Sequence, residues 1–295
     1  MRTMQARHVL VTGTSTGIGL ATVNLLVERG HHVFAAVRSD ADRQRLSKLG
    51  DSVEAIILDV TRASDIQRTV EIVSERLDGR PLHGLVNNAG VSISGPIELV
   101  PIDDFRHQME VNFFGAVALT QALLPLIREG SGRIVNVGSI LSRVRLPFMA
   151  GYCASKAALE TFTDTLRDEV HPAGVKVSYV GPGNTETPIW KKEPPERQHP
   201  NPEAVAFYKS RLQFAKDAER KPGISPRVVA ERIHDALFAP LPLETYWVGE
   251  DAKFGASHAW LSALPHDPRT FLSSLSYRSI ARSLYRRIRP TKDGG

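Results

Sequence analysis

One cysteine in 295 residues, Cys153, excludes an internal disulfide and leaves no thiolate set for a structural metal. That scarcity fits a reducing compartment, so a cytoplasmic location is expected. Aromatic residues are sparse at 7%, while 42% hydrophobic and 23% charged residues are ordinary for a soluble globular chain. No apolar run approaches the roughly 18–20 residues that cross a bilayer. Residues Met1–His8 lack the apolar centre of a secretory signal, so none is expected. The chain should be soluble, or peripheral to a membrane at most. The body also lacks net charge. The formal +5 is accounted for by residues 276–295, where Arg278, Arg282, Arg286, Arg287, Arg289 and Lys292 stand against Asp293. With basicity confined to a tail and no recognisable basic module, nucleic-acid binding is not expected. No internal repeat and no linker splits the chain into two cores.

What is present is alternation. Arg7–Thr12 is a short β-branched run of the kind found in buried parallel strands. Thr12-Gly-Thr-Ser-Thr-Gly-Ile-Gly19 follows at once and opens a helical stretch to Gly30. Glycines between a strand and a helix allow a tight turn and close backbone approach, with the helix N-terminus facing a pyrophosphate. A plain corner with incidental glycines is the simpler reading, but the order strand, loop, helix favours a dinucleotide. The next strand, His31–Val37, ends at Arg38. An acidic residue there would bind a ribose 2′-hydroxyl, whereas arginine suits a 2′-phosphate, so NADP(H) is expected over NAD(H). Asp40 and Asp42 read as the first turn of the following helix. His31 and His32, adjacent in a strand, point to opposite faces, and no metal site is expected.

Residues 52–58 form a third strand, ending at Asp59 and Val60, and residues 81–86 a fourth that runs into Asn87-Asn-Ala-Gly90. Small and amide residues at a strand's end suit a ligand crevice, although turn formation also uses them. Residues 101–129 read as one long helical segment, in which Asn112 is mildly unfavourable. A solvated face is its simplest explanation. Arg133–Ser139 reads as a buried strand, then a loop, then a helix to about Val170 that carries Tyr152 and Lys156. Tyrosine and lysine four apart share a helical face, so the ammonium is expected to lower the phenol's pKa toward the range of a general acid/base. Ser139 can hold a carbonyl or alcohol oxygen at the same point. Alone, Tyr-x-x-x-Lys arises by chance in many helices.

Val175–Val180 is a sixth strand, ended by Gly181–Thr187. Residues 188–225 are polar and proline-rich, with a short helix expected near 202–218, and their length suits a substrate lid. Pro226–Phe238 is helical and Glu244–Val248 is a last strand. The fold class expected is α/β: one doubly wound parallel sheet of about seven strands flanked by helices. It would occupy residues 1–250, followed by a helical, basic extension at 251–295.

Together these motifs resemble the classical short-chain dehydrogenase/reductase family over roughly residues 7–250. The resemblance rests on Thr12-Gly13-(x)3-Gly17-x-Gly19, Asp59-Val60, Asn87-Asn88-Ala89-Gly90, Asn112, Ser139, Tyr152-(x)3-Lys156 and Pro182-Gly183. It implies a Rossmann-type fold with Tyr152 as general acid/base, and Lys156 as its partner that also holds the nicotinamide ribose. Ser139 would polarise the substrate oxygen, and Asn112 would hold a proton-relay water. For the cofactor it implies Gly13, Gly17 and Gly19, with Ile18, Val60, Ala89, Gly90, Pro182, Gly183 and Thr185 along the same crevice. Asp59 would lie near the adenine, Asn87 near the adenosine ribose and Thr187 on the nicotinamide amide. Arg38, with Thr14 or Ser15, would take the 2′-phosphate. Thr185 replaces a usual aliphatic residue, and Gly138 stands where serine is common, from which no chemical consequence is expected. Ala35–Arg38 and Tyr246–Ala252 look like the branch of 17β-hydroxysteroid and retinol dehydrogenases. The family resemblance also implies a homodimer or homotetramer built through the helices of 101–129 and 150–170.

The function expected is NADP(H)-dependent interconversion of a hydrophobic ketone or aldehyde and its alcohol. Leu141, Phe148 and Trp190 would line the substrate pocket, while Phe207 and Phe214 would hold a lid to the body. The alternatives are reduction of a 3-oxoacyl thioester, or NADP(H) sensing without turnover. The complete Asn-Ser-Tyr-Lys set counts against the second. Cys153 is more simply a buried filler than a redox switch. Ile280, Leu284 and Ile288 recur every four residues in the tail, which suits either contact with an anionic membrane or a cap on a protein surface.

Overall fold

Why the β-branched runs become strands is clear from what covers them. The computed structural model describes residues 6–190 and 223–257. Strands β1 (His8–Thr12), β2 (His32–Val37), β3 (Val53–Ile57), β4 (Gly84–Asn87), β5 (Arg133–Val137), β6 (Lys176–Pro182) and β7 (Thr245–Val248) form one parallel sheet. Its order is β3-β2-β1-β4-β5-β6-β7. Both faces are covered, so apolar residues fill successive positions. In β1, Leu10 joins one core cluster while Val9 and Val11 join the other.

One face carries α3 (Ala63–Leu77), α5 (Gly115–Glu129) and α6 (Ala150–Val170), whose Val73, Leu119, Leu123 and Leu166 pack on Leu10, Leu85 and Ile134. The other carries α1 (Gly17–Glu28), α2 (Asp40–Leu46) and α7 (Pro226–Phe238), through Val23, Leu26, Leu46, Val229 and Ile233. Local chemistry sets several helix starts. Ser39 caps α2 by accepting from the Asp42 amide, and Ser225 caps α7, with Pro226 at its first position. Asp40 and Asp42 stand in the first turn of α2, as expected.

The stretch 101–129 is not one regular helix. It divides into α4 (Ile102–Met109), a π-helical turn at Glu110–Phe114, and α5. By length and composition this stretch is apolar enough to cross a membrane, contrary to the reading of hydropathy runs. Its apolar residues Leu119, Leu123 and Ile127 are fully buried in the core of the sheet. A last helix, α8 (Glu250–Ser257), carries the body past residue 250, with Ala252 fully buried. The chain divides into units of Met1–Ser257 and His258–Gly295. The second unit, the expected lid helix at 202–218 and the basic tail lie outside the described residues.

In this strand order the connections leave the sheet in opposite directions from β1 and β4. That arrangement opens a crevice beyond their C-terminal ends.

Candidate active site

The crevice is floored by the glycine loop. Gly13 and Gly17 adopt left-handed backbone, at φ +67° and +58°, which side-chain-bearing residues rarely take. A Cβ on Gly13 would come within 2.8 Å of the Ala89 Cα, and one on Gly19 would collide with the Gly13 carbonyl. The loop is thus close-packed against Asn88-Ala89. Thr12 fastens the two: its hydroxyl accepts from the amides of Asn88 and Ala89, each at 2.9 Å. The Asn88 side chain returns bonds to the carbonyls of Thr12 and Gly13. Thr16, at the N-cap of α1, makes no side-chain capping bond. The first-turn amides, which have no intrahelical acceptor, therefore suit an anionic group. These features fit a dinucleotide pyrophosphate at this loop.

The adenosine end is only partly as expected. Arg38 is exposed at the end of β2, and its charge helps lower the pKa of both Asp42 and Asp59. Thr14 is turned inward. Its hydroxyl is fully buried and donates to the Ala36 carbonyl. A second cation missed in the sequence reading, Arg45, bonds the Ser15 carbonyl at 2.6 Å and Asp42 at 2.7 Å. Asp59 accepts from Thr61, and Val60 is buried against Gly115. Asn87 is interior: its Nδ2 donates to Thr120 and to Asn136, while its buried Oδ1 has no partner among the described residues. Asn136 in turn donates to Thr163. The resulting ladder, Thr120–Asn87–Asn136–Thr163, ties α5 and α6 to β4 and β5. The signal for it was an asparagine inside a strand, where that residue is depleted.

Across the crevice, α6 brings Tyr152 and Lys156 to one face. Tyr152 is 4% exposed and its phenol is hydrogen-bonded to Ser139. Lys156 is 3% exposed, its Nζ donates to the Val137 carbonyl at 2.9 Å, and it lies 5.8 Å from the Tyr152 ring centroid. Here the electrostatics run against the sequence-based expectation. Burial pushes the Tyr152 phenol above its ordinary range, and the Ser139 bond offsets this only in part. Burial also lowers Lys156 to about 8. Desolvation is the largest cause for both groups, opposed at the phenol by the Ser139 bond.

Asn112 lies in the π turn, the kind of helix irregularity common at functional sites. It is 1% exposed, so the solvated-face reading fails. Its Oδ1 accepts from the Val91 amide at 2.8 Å, and its Nδ2 donates to the Val91 carbonyl and to Ser155. Gly90 sits between Asn112 and Lys156: a Cβ there would be 3.4 Å from Asn112 Oδ1 and 3.6 Å from Lys156 Nζ.

Around the phenol, Ile140, Leu141, Tyr152, Cys153 and Ala252 form an apolar cluster, joined by Val144, Met149, Ile189 and Trp247. Phe148 is held at φ +68°, unusual for an aromatic residue and frequent at functional sites. Trp190 ends a 3-10 turn at Pro188–Trp190. Thr187 lies against the glycine loop, 3.1 Å from a Cβ built on Gly17. Thr185 is buried and donates to the Gly183 carbonyl, while Pro182 closes β6. Cys153 is buried and its thiol is pushed up by burial, so it is packed filler with little thiolate character.

A doubly wound parallel sheet with a dinucleotide-type glycine loop and an opposed Ser-Tyr-Lys set defines a nicotinamide-dependent oxidoreductase. The chain belongs to the short-chain dehydrogenase family, whose model ("short chain dehydrogenase") matches residues 7–198. Human retinol dehydrogenase 16 is 35% identical over 266 residues, 85% of this chain and 83% of that protein. The 3-amino-tetrahydro-pyrrolizinone reductase of Xenorhabdus hominickii is 34% identical over 85% of this chain and 89% of its own length. Mouse retinol dehydrogenase 16 is 42% identical over 61% of this chain, a match that spans 57% of the mouse protein. A short-chain dehydrogenase structure from Streptomyces avermitilis superposes with a TM-score of 0.77 at 31% identity, covering 94% of this chain and 98% of that one. One from Burkholderia cenocepacia, described in complex with NADP, gives 0.70 at 28% identity, covering 93% and 97%. Within the family the similarity runs to the retinol dehydrogenase-like branch.

Proposed function

We propose that this chain is an NADP(H)-dependent carbonyl reductase, reversible as an alcohol dehydrogenase, acting on a hydrophobic ketone or aldehyde. The observation that carries it is the buried set of Ser139, Tyr152 and Lys156, with the phenol bonded to Ser139 and the Lys156 Nζ 5.8 Å from the Tyr152 ring centroid. The cofactor, when bound, supplies or accepts the hydride. Gly13, Gly17, Gly19, Ala89, Gly90, Pro182, Gly183 and Thr187 would hold it, with Ser15 and Arg38 at a 2′-phosphate. Ser139 fixes the substrate oxygen and Tyr152 gives it a proton as the carbon is reduced. Lys156, beside the Tyr152 ring, would hold the nicotinamide ribose, and Asn112 a proton-relay water. Positioned acid catalysis of this kind is worth about 10²–10⁴ in rate. The apolar cluster around Tyr152 favours an apolar substrate, and the name of the Burkholderia structure favours NADP.

The test is NADPH and NADH oxidation against steroid, retinoid, aromatic and 3-oxoacyl thioester carbonyls, with Tyr152→Phe beside wild type. The variant should lose nearly all turnover and keep NADPH binding; near-normal activity refutes the role of Tyr152. Arg38→Asp should shift preference toward NADH, and an unchanged ratio refutes the 2′-phosphate assignment. We also propose a homodimer or homotetramer through α4, α5 and α6, and a cytoplasmic chain whose tail either caps a protein surface or touches an anionic membrane. The exposed Phe114 of the π turn supports the first. Gel filtration, and pelleting with anionic liposomes of full-length protein against residues 1–275, test the two.

A further inference from the structure

Gly138, just before Ser139, stands where serine is common in the family, a departure from which the sequence alone predicts no chemical consequence. A Cβ at this position would overlap the ring and hydroxyl of Tyr179. Tyr179, on β6, stands beside Asn136 of β5 in the sheet register. It is fully buried, and its side chain runs past the end of β5 through the space the glycine leaves open. The phenol there accepts from the Ser139 amide at 3.0 Å and donates to the Ser139 carbonyl at 3.1 Å. One hydroxyl thus grips both backbone groups of the residue whose side chain meets Tyr152. Ser142 adds a bond to the same carbonyl at 2.9 Å, and among the described residues Tyr179 is the partner of the amide. Trp247 holds the ring from the edge, at 5.7 Å between centroids.

We propose that Tyr179 is a positioning residue for the reaction: its hydroxyl sets where the Ser139 backbone sits, and so where the Ser139 side chain meets the substrate oxygen and Tyr152. Gly138 is the space this device requires. Tyr179 touches neither substrate nor cofactor in this reading; it acts through Ser139. The proposal rests on the function proposed above, with Ser139 and Tyr152 as the reacting pair.

The physical reason lies in the exposed end of the strand. Ser139 is beyond the last ladder pair of β5, Val137 with Val180, so sheet pairing no longer fixes its backbone. Gly138 keeps one bond, to the Val180 carbonyl. Past that point the Tyr179 phenol is the tie to β6. Without it the Ser139 amide is left buried and unpaired, and the strand end can shift to find a partner. A displacement of about 1 Å at a reacting group costs on the order of 10²-fold in rate.

Tyr179→Phe keeps the ring and removes the grip. The expected result is a fall in kcat of about 10- to 100-fold, with the KM for NADPH changed less than about twofold because the glycine loop is untouched. A structural readout needs no substrate. In protein labelled with ¹³Cζ-tyrosine, the Tyr152 resonance, assigned by its loss in Tyr152→Phe, should move in Tyr179→Phe, because the Ser139 bond to Tyr152 changes. Should Tyr179→Phe fail to fold, 3-fluorotyrosine at position 179 keeps the ring and both bonds while weakening acceptance from the Ser139 amide. It should move the same resonance. If Tyr152→Phe is inactive while Tyr179→Phe, or the fluorinated protein, keeps wild-type kcat and an unmoved Tyr152 resonance, the positioning role is overturned and the proposed function stands. If Tyr152→Phe remains active, the function falls, and the resonance still decides whether Tyr179 sets the Ser139–Tyr152 bond.

Discussion

Replacing Thr12 by valine removes one hydroxyl and leaves the shape almost unchanged, so it isolates the bond that joins the glycine loop to the end of β4. Thr12 is 2% exposed. Its Oγ1 accepts from the Asn88 and Ala89 amides, both at 2.9 Å, and donates to the Val86 carbonyl at 3.3 Å. Valine fills the volume, so no cavity term arises, but two amides lose their acceptor. Each largely buried donor left unpaired costs about 1–3 kcal/mol. Asn88 and Ala89 are only half-buried, and the Asn88 side chain still holds the Thr12 and Gly13 carbonyls, which favours the lower end. The expected loss is about 2–4 kcal/mol, or on the order of 5–15 °C in Tm for a body of this size. Thr12→Ser retains the hydroxyl and should lose only about 1 kcal/mol, the value of one buried methyl group. Because Ala89 is packed against Gly13, NADPH affinity should fall in Thr12→Val and hold in Thr12→Ser. Urea denaturation followed by circular dichroism, with NADPH fluorescence titration, measures both. A valine variant as stable as the serine variant would refute the reasoning.

Other outcomes follow from the same structure. Burial lowers Lys156 from 10.5 to about 8, so its charge penalises the folded state fully below pH 8, and the penalty lifts as pH rises toward 10.5. The stability of wild type relative to Lys156→Met should therefore improve between pH 8 and 10.5 in urea titrations; a flat difference contradicts the burial argument. His8 and His31 are both lowered to about 4, by burial first, and neither ring nitrogen of His31 has a partner among the described residues. Stability should fall as pH drops from 6.5 through 4, and His31→Phe, which can keep the stack on Phe238, should lessen the loss between pH 7 and 5. Denaturation midpoints at the two pH values decide this, and equal losses in both proteins would count against it. Gly19→Ala would drive its Cβ into the Gly13 carbonyl and to 2.6 Å from the Asn88 amide. It should cost about 1–3 kcal/mol and suppress the fluorescence change on adding NADPH; unaltered binding would show that the loop has slack.

Much of the architecture is written locally. β-Branched runs at Val9–Val11 and Val33–Val37 can only be strands covered on both faces. Ser39 before Asp40, and Ser225 before Pro226, start helices by side-chain and backbone chemistry that needs no distant partner. Glycines at 13 and 17 announce left-handed turns, and a spacing of four puts Tyr152 and Lys156 on one helical face. Other features depend on what the sheet sets side by side, and no local pattern carries that. The bonds of Thr14 to Ala36 and of Asn87 to Asn136 run between neighbouring strands or strand ends and have no local signal. Asn112 reads as a surface residue until the π turn packs against α6 and sets it on Val91 and Ser155. The direction of the Tyr152 shift is likewise a property of burial, because neighbouring cations compete with desolvation and spacing cannot say which prevails. Gly138 shows the division most plainly. By itself it is an unremarkable small residue before Ser139; only the register of β5 with β6 brings Tyr179, forty-one positions further on, into the space it leaves.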